Sequence, residues 1–310
     1  MPARRPASRP DGSAALKAAP FDYVRPVTFE HALEVLAQHG PDAKVIAGGQ
    51  SLVPMMAMRL VRPTLLVDVN RLAELRGIGV GPGCVTIGAT TRQRDLQESA
   101  ALRRAVPLIG AALHWVGHVQ TRNRGTLGGS LVHADPSAEL PLAALMLDAR
   151  IHLRGAAGGE RHLDAREFFI APMLTATGET ECVTRIEWPI WDGPGVACAF
   201  DETAIRHGDY AIAAAACQLQ LDAGGTCRRA AIGIGGMAGT PLAFPDLAAA
   251  LVGRRIDLAL ARDVAQAAVG RSEPGADLQA DAAYRRHLAV VLLTRVILRA
   301  GTASAGALAA

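Results

Sequence analysis

The stretch QTRNRGTLGGSLVHADPSAELPL, residues 120–142, decides how this sequence is interpreted. Its segment TLGGS, residues 126–130, combines two glycines with two hydroxyl side chains, and AGGQS, residues 47–51, repeats the pattern after a predicted strand. Glycines allow successive N–H groups to point into one concavity, which is typical of an anion site. Two such loops match a pyrophosphate better than one phosphate, whereas the alternative is a pair of tight turns.

The composition predicts a globular protein with more than one compact unit. The chain has 310 residues, of which 50% are hydrophobic and 20% charged. Aromatic residues make up only 4%, which disfavours a nucleic-acid platform built on base stacking. Nearly all of the positive charge is arginine, since lysine occurs only at positions 17 and 44. Arginine suits fixed contacts with carboxylates and phosphates, although at a surface it also serves solvation.

The cysteines and the chain ends indicate a cytoplasmic protein. No two of the five cysteines form a C-x-x-C pair, so this chain alone cannot build a zinc knuckle or an iron–sulfur cluster. Residues 1–20 are basic and lack the apolar core of a secretory signal, and we interpret them as a disordered tail. The most apolar late segment, LAVVLLTRVIL, is short and contains Arg295, so no membrane span is expected.

Hydrophobic periodicity predicts alternating strands and helices, followed by a smaller α+β unit. Thr28 can cap a helix that ends at Gly40-Pro41, and a longer helix is expected over residues 100–117, leading into a loop at 120–142. The WDGPG segment is typical of a boundary between domains. Two long predicted strands joined by DAGG indicate a hairpin. We expect a disordered tail (1–20), a domain of two α/β subdomains (21–194, divided near 76/77), a C-terminal α+β domain (195–300) and a frayed tail (301–310).

Other motifs favour different chemistry only weakly. GIGGMA, residues 233–238, matches a dinucleotide fingerprint, but Pro241 and Pro245 follow where its helix should run. His114 and His118 are spaced like a metal pair but lack an intervening glutamate, which favours a structural role. Ser130, His133 and Asp135 invite a nucleophilic triad, yet no G-x-S-x-G elbow is present.

The segment IRHGDYAIA, residues 205–213, adds an aromatic side chain to the candidate site. Gly-Asp turns the chain, and Tyr210 then begins a long strand in a protein with only three tyrosines. A tyrosine at the mouth of a strand can shield a flat ligand while its hydroxyl stays hydrated. The alternative is a core tyrosine that caps the small domain.

Several of these segments occur together in one known family. AGGQSLVPMMAMRLVRPTLLVDV, IGATT, QTRNRGTLGGSLVHADPSAELP, IRHGDYA and YRRHLAVVLLTRVI follow one another in the same order and at compatible spacing. Over residues 21–300 the chain thus resembles the FAD-binding medium subunit of the molybdenum hydroxylases, the family of carbon monoxide dehydrogenase and xanthine dehydrogenase. The resemblance implies a mixed α/β and α+β fold, in which a two-subdomain FAD-binding domain precedes a small C-terminal domain with an antiparallel sheet and helices.

The resemblance also implies a set of FAD-binding residues. One side of the pyrophosphate and ribityl chain would lie on Ala47, Gly48, Gly49, Gln50, Ser51 and Leu52, and the other side on Thr126, Gly128, Gly129 and Ser130. The adenine or phosphate end would be lined by Ala89, Thr90 and Thr91. Asp135 and Glu139 would accept hydrogen bonds from the cofactor, and Tyr210 would lie against the isoalloxazine.

The resemblance further implies that the chain is an electron-transfer subunit. A large subunit with the molybdopterin cofactor and a small subunit with two [2Fe–2S] clusters would be separate polypeptides, in a dimer of heterotrimers, and no residue of this chain need be catalytic. Two alternatives stay open: a free-standing flavin oxidoreductase, and a non-catalytic nucleotide-binding assembly subunit.

Overall fold

The computed structural model describes residues 17–309, so the first sixteen residues of the expected tail lie outside it. Three sheets and a short hairpin organise the chain, together with twelve α-helices in the described part. The first sheet is parallel and the others are antiparallel. The expected mixed architecture, with a small antiparallel C-terminal unit, is confirmed.

The first unit is a three-stranded parallel sheet in the order β1-β3-β2. Its helix α1 begins where Thr28 Oγ1 accepts a hydrogen bond from the His31 N–H and ends at Gly40, which has φ +52°, as the sequence predicts. The elements are β1 (Asp22–Val24), α1 (Phe29–His39), β2 (Ala43–Ile46), α2 (Leu52–Ala57) and β3 (Leu65–Asp68).

The second unit is a five-stranded antiparallel sheet in the order β4-β5-β10-β6-β7. Helices cover the face where Ile87, Ile151 and Ile186 are fully buried. The elements are β4 (Ile78–Val80), β5 (Cys84–Gly88), α3 (Gln93–Glu98), α4 (Ala100–Ala105), α5 (Pro107–Leu113), α6 (Val119–Arg124), α7 (Leu127–His133), α8 (Glu139–Met146), β6 (Arg150–Gly155), β7 (Glu160–Asp164), α9 (Ala165–Phe168), β8 (Phe169–Ala171), β9 (Leu174–Thr175) and β10 (Glu181–Pro189).

The C-terminal unit is a four-stranded antiparallel sheet packed between the second unit and three helices. Along its central strand, Ala214 and Ala216 face the core of the second unit, whereas Ala213, Ala215 and Cys217 face the helices. The elements are β11 (Val196–Thr203), β12 (Ala213–Leu221), β13 (Cys227–Gly235), β14 (Leu242–Ala243), α10 (Pro245–Ala249), α11 (Leu258–Val269) and α12 (Ala282–Ala309).

Two predicted elements around the opening stretch are wrong. The helix expected over residues 100–117 is broken into α4 and α5 at Pro107, which has no N–H to continue the helix and instead starts the next one. The loop expected at residues 120–142 is mostly helical, because it contains α7 and parts of α6 and α8. The predicted hairpin of β12 and β13 is confirmed.

The last helix extends beyond the predicted boundary at residue 300. It begins at Ala282, as its apolar spacing predicts, and continues to Ala309; its final turns are rich in alanine, which has the highest helix propensity. Of the helices in the described residues, none has the length and apolarity that crossing a bilayer requires.

Ala134 adopts an unfavourable backbone conformation at the end of α7. It has φ 50° and ψ 40°, the left-handed region that normally selects glycine at this position. We therefore expect Ala134→Gly to raise the free energy of unfolding by about 1 kcal/mol, measured by urea denaturation. Ala138→Gly is the matched control, since Ala138 is buried but extended; equal destabilisation of both variants would contradict the expectation.

Candidate cofactor-binding site

The two glycine-rich loops lie against each other. A Cβ built on Gly48 would overlap the carbonyl oxygen of Arg124 and come within 2.8 Å of the Gly125 Cα. Both are backbone atoms that a side chain could not push aside cheaply. The absence of a side chain at position 48 is thus what allows the 47–51 loop to meet the backbone that leads into TLGGS.

The first loop offers unpaired backbone donors. Among the described residues, the N–H groups of Gly48, Gly49, Gln50 and Ser51 donate to no protein acceptor. Gly49 has φ +72°, a conformation that lets successive N–H groups share one concavity. Leu52 follows as the first residue of α2. This arrangement matches the predicted anion-binding loop.

The second loop differs from the sequence prediction, since its donors are already used. The Leu127 and Gly128 N–H groups donate to the carbonyls of Thr91 and Ala89, at 3.1 and 2.8 Å. The Gly129 N–H donates to Thr126 Oγ1 at 3.1 Å, which makes Thr126 the N-cap of α7. TLGGS is therefore the first turn of a helix rather than a second open concavity.

Two glycines of this turn allow close packing. A Cβ on Gly128 would lie 2.6 Å from the Ala89 Cβ and 2.9 Å from its carbonyl oxygen. A Cβ on Gly129 would lie 2.7 Å from Thr126 Oγ1. Gly128 is buried, whereas Gly129 is exposed and Ser130 half-buried, so the surface that α7 offers to a ligand consists of Gly129 and Ser130.

The segment Ala89–Thr91 packs against this turn. The Thr90 hydroxyl donates to the Leu75 carbonyl at 2.9 Å, and the Thr91 hydroxyl both donates to and accepts from the backbone of Gly77. All three residues are buried. The two threonine hydroxyls have hydrogen-bond partners within the protein, so direct contact of this segment with a cofactor stays a prediction.

A cavity of about 360 Å³ opens beside the first loop, lined by Ile46, Gly48, Gly49, Gln50, Val53, Pro54 and Arg124. Arg124 is exposed, and in the described part of the chain no carboxylate pairs with its side chain. Unpaired N–H groups and an unpaired guanidinium around one cavity favour an anionic ligand. Arg124 lies within the opening stretch, but the sequence alone does not distinguish it from a solvated surface arginine.

Tyr210 reaches the site from the C-terminal unit. The residue is 49% exposed, and its hydroxyl oxygen lies 3.3 Å from His133 Nε2 at the end of α7. Burial of the hydroxyl and the nearby Asp135 raise the pKa of Tyr210, while a hydrogen bond with Ser51 opposes this shift. The structure therefore brings Ser51, His133, Asp135 and Tyr210 together.

Asp135 of this cluster and the nearby Glu139 are both buried acids. Asp135 Oδ1 accepts a hydrogen bond from the Ser137 N–H at 2.8 Å, and burial raises the pKa of Asp135. Burial, with a smaller contribution from Asp135, raises the pKa of Glu139 to about 7. Both side chains are close to Tyr210, since each raises its pKa.

Sequence reasoning missed a further buried acid, Glu202 on β11. Its Oε2 is buried without a hydrogen-bond partner, and burial, followed by the charges of Glu139 and Asp201, raises the pKa of Glu202 to about 9. The neighbouring Asp201 points to the opposite face, where Arg295 and Arg299 donate to it at 3.0 and 3.1 Å. Strand alternation in the segment FDET would have placed one of the two acids inward.

The histidines at positions 114 and 118 pack against the loop that carries Tyr210. His207 of this loop lies with its ring centroid 6.1 Å from that of His114 and 6.2 Å from those of Trp115 and His118. Among residues 17–309, no three His, Cys, Asp or Glu side chains are arranged to hold a metal ion. The aromatic cluster thus fixes the IRHGDY loop onto the second unit.

Comparison with known proteins identifies the family. Residues 19–191 match the model of the FAD binding domain in molybdopterin dehydrogenase. The chain belongs to this family. Residues 198–300 match a second model, the CO dehydrogenase flavoprotein C-terminal domain. FAD is thus the cofactor of this chain, and the resemblance inferred from the sequence motifs is confirmed.

The chain is also similar to individual flavoprotein subunits over almost their whole length. It is 38% identical to the 6-hydroxypseudooxynicotine dehydrogenase complex subunit alpha of Paenarthrobacter nicotinovorans, covering 92% of this chain and 96% of the relative. It is 33% identical to the carbon monoxide dehydrogenase medium chain of Hydrogenophaga pseudoflava, covering 89% and 96%. The structure of quinoline 2-oxidoreductase from Pseudomonas putida 86 superposes with a TM-score of 0.88 at 36% identity, covering 93% and 99%.

The geometry of the site fits a flavin dinucleotide in the FAD-binding subunit. The open donors of Gly48–Ser51 and the adjacent Arg124 suit a diphosphate, and a half-exposed aromatic ring at Tyr210 suits a flat ring system. Ser51 belongs to the first loop and lies near enough to Tyr210 to oppose the rise in its pKa. The residues present therefore provide both ends of an elongated site.

Proposed function

We propose that this chain binds FAD along the two glycine-rich loops and passes electrons to a terminal acceptor as the flavoprotein subunit of a molybdopterin-dependent dehydrogenase. The observation that carries the proposal is the set of four N–H groups at Gly48–Ser51, which have no acceptor within residues 17–309, beside Arg124, which has no carboxylate partner there. Bound FAD supplies one- and two-electron redox chemistry. The protein contributes binding, orientation and a controlled environment.

Each part of the site has a distinct task in this proposal. The first loop, 47–52, holds the diphosphate through its N–H groups. The turn of Thr126–Ser130 lies on the other side and presents Gly129 and Ser130, while Ala89–Thr91 fixes its position. Asp135 and Glu139 accept hydrogen bonds from the cofactor, and Tyr210 covers the ring system.

The substrate-oxidising centre belongs to other polypeptides in this proposal. We assign the molybdopterin cofactor to a large subunit and two [2Fe–2S] clusters to a small subunit, because the five cysteines of this chain are dispersed and free. The relatives are named for substrates as different as carbon monoxide and quinoline, which is consistent with a substrate site outside this subunit. A dimer of heterotrimers in the cytoplasm is the assembly we propose.

The test is affinity purification of the full chain from its native cell, with visible absorption and metal analysis. We expect bleachable flavin, iron and molybdenum to elute with two further polypeptides. A yellow chain without metals or partners that oxidises a small molecule by itself would support a free-standing flavin oxidoreductase instead. A colourless chain would support an assembly role, and either result would overturn the proposal.

Tyr210 provides a local test of the ring-binding end. Removing the ring in Tyr210→Ala should weaken FAD binding by about 3- to 10-fold and increase flavin fluorescence, because an aromatic contact is lost. Tyr210→Phe keeps the ring and should bind within about twofold of the unmodified protein. Tyr284→Ala, at a similarly exposed position on α12, is the control. Unchanged affinity in Tyr210→Ala would remove Tyr210 from the site.

A further inference from the structure

One arginine side chain joins the segments that lead to the two glycine-rich loops. Arg92, the residue preceding α3, donates from Nη2 to Asn70 Oδ1 at 2.7 Å. Its Nη1 donates to the carbonyl oxygen of Arg124, which leads into TLGGS. A single planar guanidinium therefore spans two acceptors that belong to different segments of the chain.

Asn70 extends this connection to the first loop. Its Nδ2 donates to the Ala47 carbonyl and to Asp68 Oδ1, both at 2.6 Å, and the Asn70 N–H also donates to Asp68 Oδ1 at 2.8 Å. Asp68 is buried at the end of β3. Because every donor and the acceptor of the Asn70 amide are engaged, its position and that of the Ala47 carbonyl are fixed.

The hydrogen bond that the Ala47 carbonyl accepts determines the direction in which the Gly48 N–H points. In a trans peptide the carbonyl and the N–H point in opposite directions. Asn70 holds the carbonyl of the Ala47–Gly48 peptide, so the Gly48 N–H of the same peptide points away from Asn70. This N–H is the first of the unpaired donors of the loop.

The same region concentrates positive charge. Burial, and then the guanidinium groups of Arg76 and Arg124, lower the pKa of Arg92, while Asp95 and Asp68 oppose the shift. Arg76 also donates to the Asn70 carbonyl at 3.1 Å. The guanidinium group of Arg92 thus lies near those of Arg76 and Arg124, and Arg124 lines the cavity, so an anionic ligand there would reduce the repulsion among them.

We propose that Arg92 is a positioning residue, which through Asn70 and the Arg124 carbonyl sets the separation of the two glycine-rich loops for the diphosphate of the cofactor. This inference rests on the proposed FAD function. It assigns a role to Arg92 and Asn70 that involves no direct contact with the cofactor.

The experiment measures the FAD dissociation constant of the full chain by flavin fluorescence titration, after removal of bound flavin. The proteins compared are the unmodified chain, Arg92→Gln, Arg92→Lys, Asn70→Ala and the double variant Arg92→Gln/Asn70→Ala. Arg92→Gln should weaken FAD binding about 10- to 100-fold, since it removes two charge-assisted hydrogen bonds. Arg92→Lys keeps the charge but not the fork, so it should resemble Arg92→Gln within about threefold. Thermal denaturation and the visible circular dichroism of bound FAD are recorded for each variant.

The double variant distinguishes one connected unit from two independent contacts. If Arg92 acts through Asn70, the double variant should bind FAD no more than about threefold weaker than the weaker single variant. Arg94→Gln is the control, because Arg94 lies two residues further on, in the first turn of α3, with an exposed Glu98 partner. This variant should change affinity by less than about twofold.

Three results would overturn the inference. Recovery of full affinity in Arg92→Lys would show that charge alone matters, and additive losses in the double variant would show that Arg92 and Asn70 act separately. Lower thermal stability of Arg92→Gln with unchanged FAD affinity would assign Arg92 to the fold only. Failure of the unmodified protein to bind FAD would instead refute the proposed function itself, together with this inference.

Discussion

Alanine at position 48 is expected to abolish FAD retention. Its Cβ would overlap the Arg124 carbonyl oxygen and lie 2.8 Å from the Gly125 Cα, so the two loops would have to separate. Such overpacking costs about 1–3 kcal/mol of folding stability. It also misaligns the donors from Gly48 to Ser51, and the loss of several hydrogen bonds to a diphosphate should weaken FAD binding by at least about 100-fold.

The measurement is flavin absorbance of the desalted full chain, followed by titration with FAD. Gly159→Ala is the matched control, since Gly159 also lies within residues 19–191, the part that matches the FAD binding domain, has no atom within 4 Å of an added Cβ and has no positive φ. This variant should keep its full flavin content. Full occupancy in Gly48→Ala would show that the approach of the two loops is not needed for FAD binding.

Elements specified by local signals could be predicted from the sequence. Helix α1 carries both of its signals in the chain itself, with Thr28 at the start and Gly40 at the end. The same holds for the β12–β13 hairpin, because the turn residues DAGG separate two strands of matching length. In these cases neighbouring residues supply the deciding interactions.

The helix at TLGGS could not be predicted in this way. Its two glycines have low helix propensity, and a Gly-rich segment with hydroxyls is equally typical of a loop. The helix forms because Thr126 caps it and because Gly128 packs on Ala89, a residue far away in sequence. Tertiary packing therefore overrides local preference at this turn.

The candidate site, like the fold, could be predicted from the sequence only in part. The motifs locate the loops at 47–52 and 126–130, since glycines and hydroxyls are visible in the chain. Their different donor patterns, and the link through Arg92 and Asn70, depend on hydrogen bonds between segments that are distant in sequence. The sequence thus identifies where a diphosphate could bind, whereas only the structure reveals how the two loops are held together.

The Glu202 carboxyl should make the folded chain less stable as the pH rises. Burial, followed by the charges of Glu139 and Asp201, raises the pKa of Glu202 to about 9 in the folded state, whereas an unfolded glutamate titrates near 4.3. Between these values the folded state binds more protons than the unfolded state. The stability from this group is therefore fully present below about pH 4 and falls as the pH rises toward 9.

The substitution Glu202→Gln should remove most of this pH dependence of the unfolding free energy. Each pH unit in the window corresponds to about 1.4 kcal/mol for one proton, so Glu202→Gln should exceed the unmodified chain in unfolding free energy by on the order of 3 kcal/mol at pH 8. Urea denaturation from pH 5 to 9 at a fixed FAD concentration measures this difference, since bound FAD itself shifts stability. The amide can also donate toward the carboxylate of Glu139, which is one of the charges that raise the pKa of Glu202.

Glu98→Gln is the control for removing a carboxylate, because Glu98 is exposed and, among residues 17–309, pairs only with Arg94 on the same helix. Its stability should follow that of the unmodified chain within about 0.5 kcal/mol at every pH. Parallel stability curves for Glu202→Gln and the unmodified chain would mean that Glu202 is ionised in the folded protein. The buried face of β11 would then need a cation or an ordered water beside Glu202 Oε2, the atom that has no hydrogen-bond partner within the described residues.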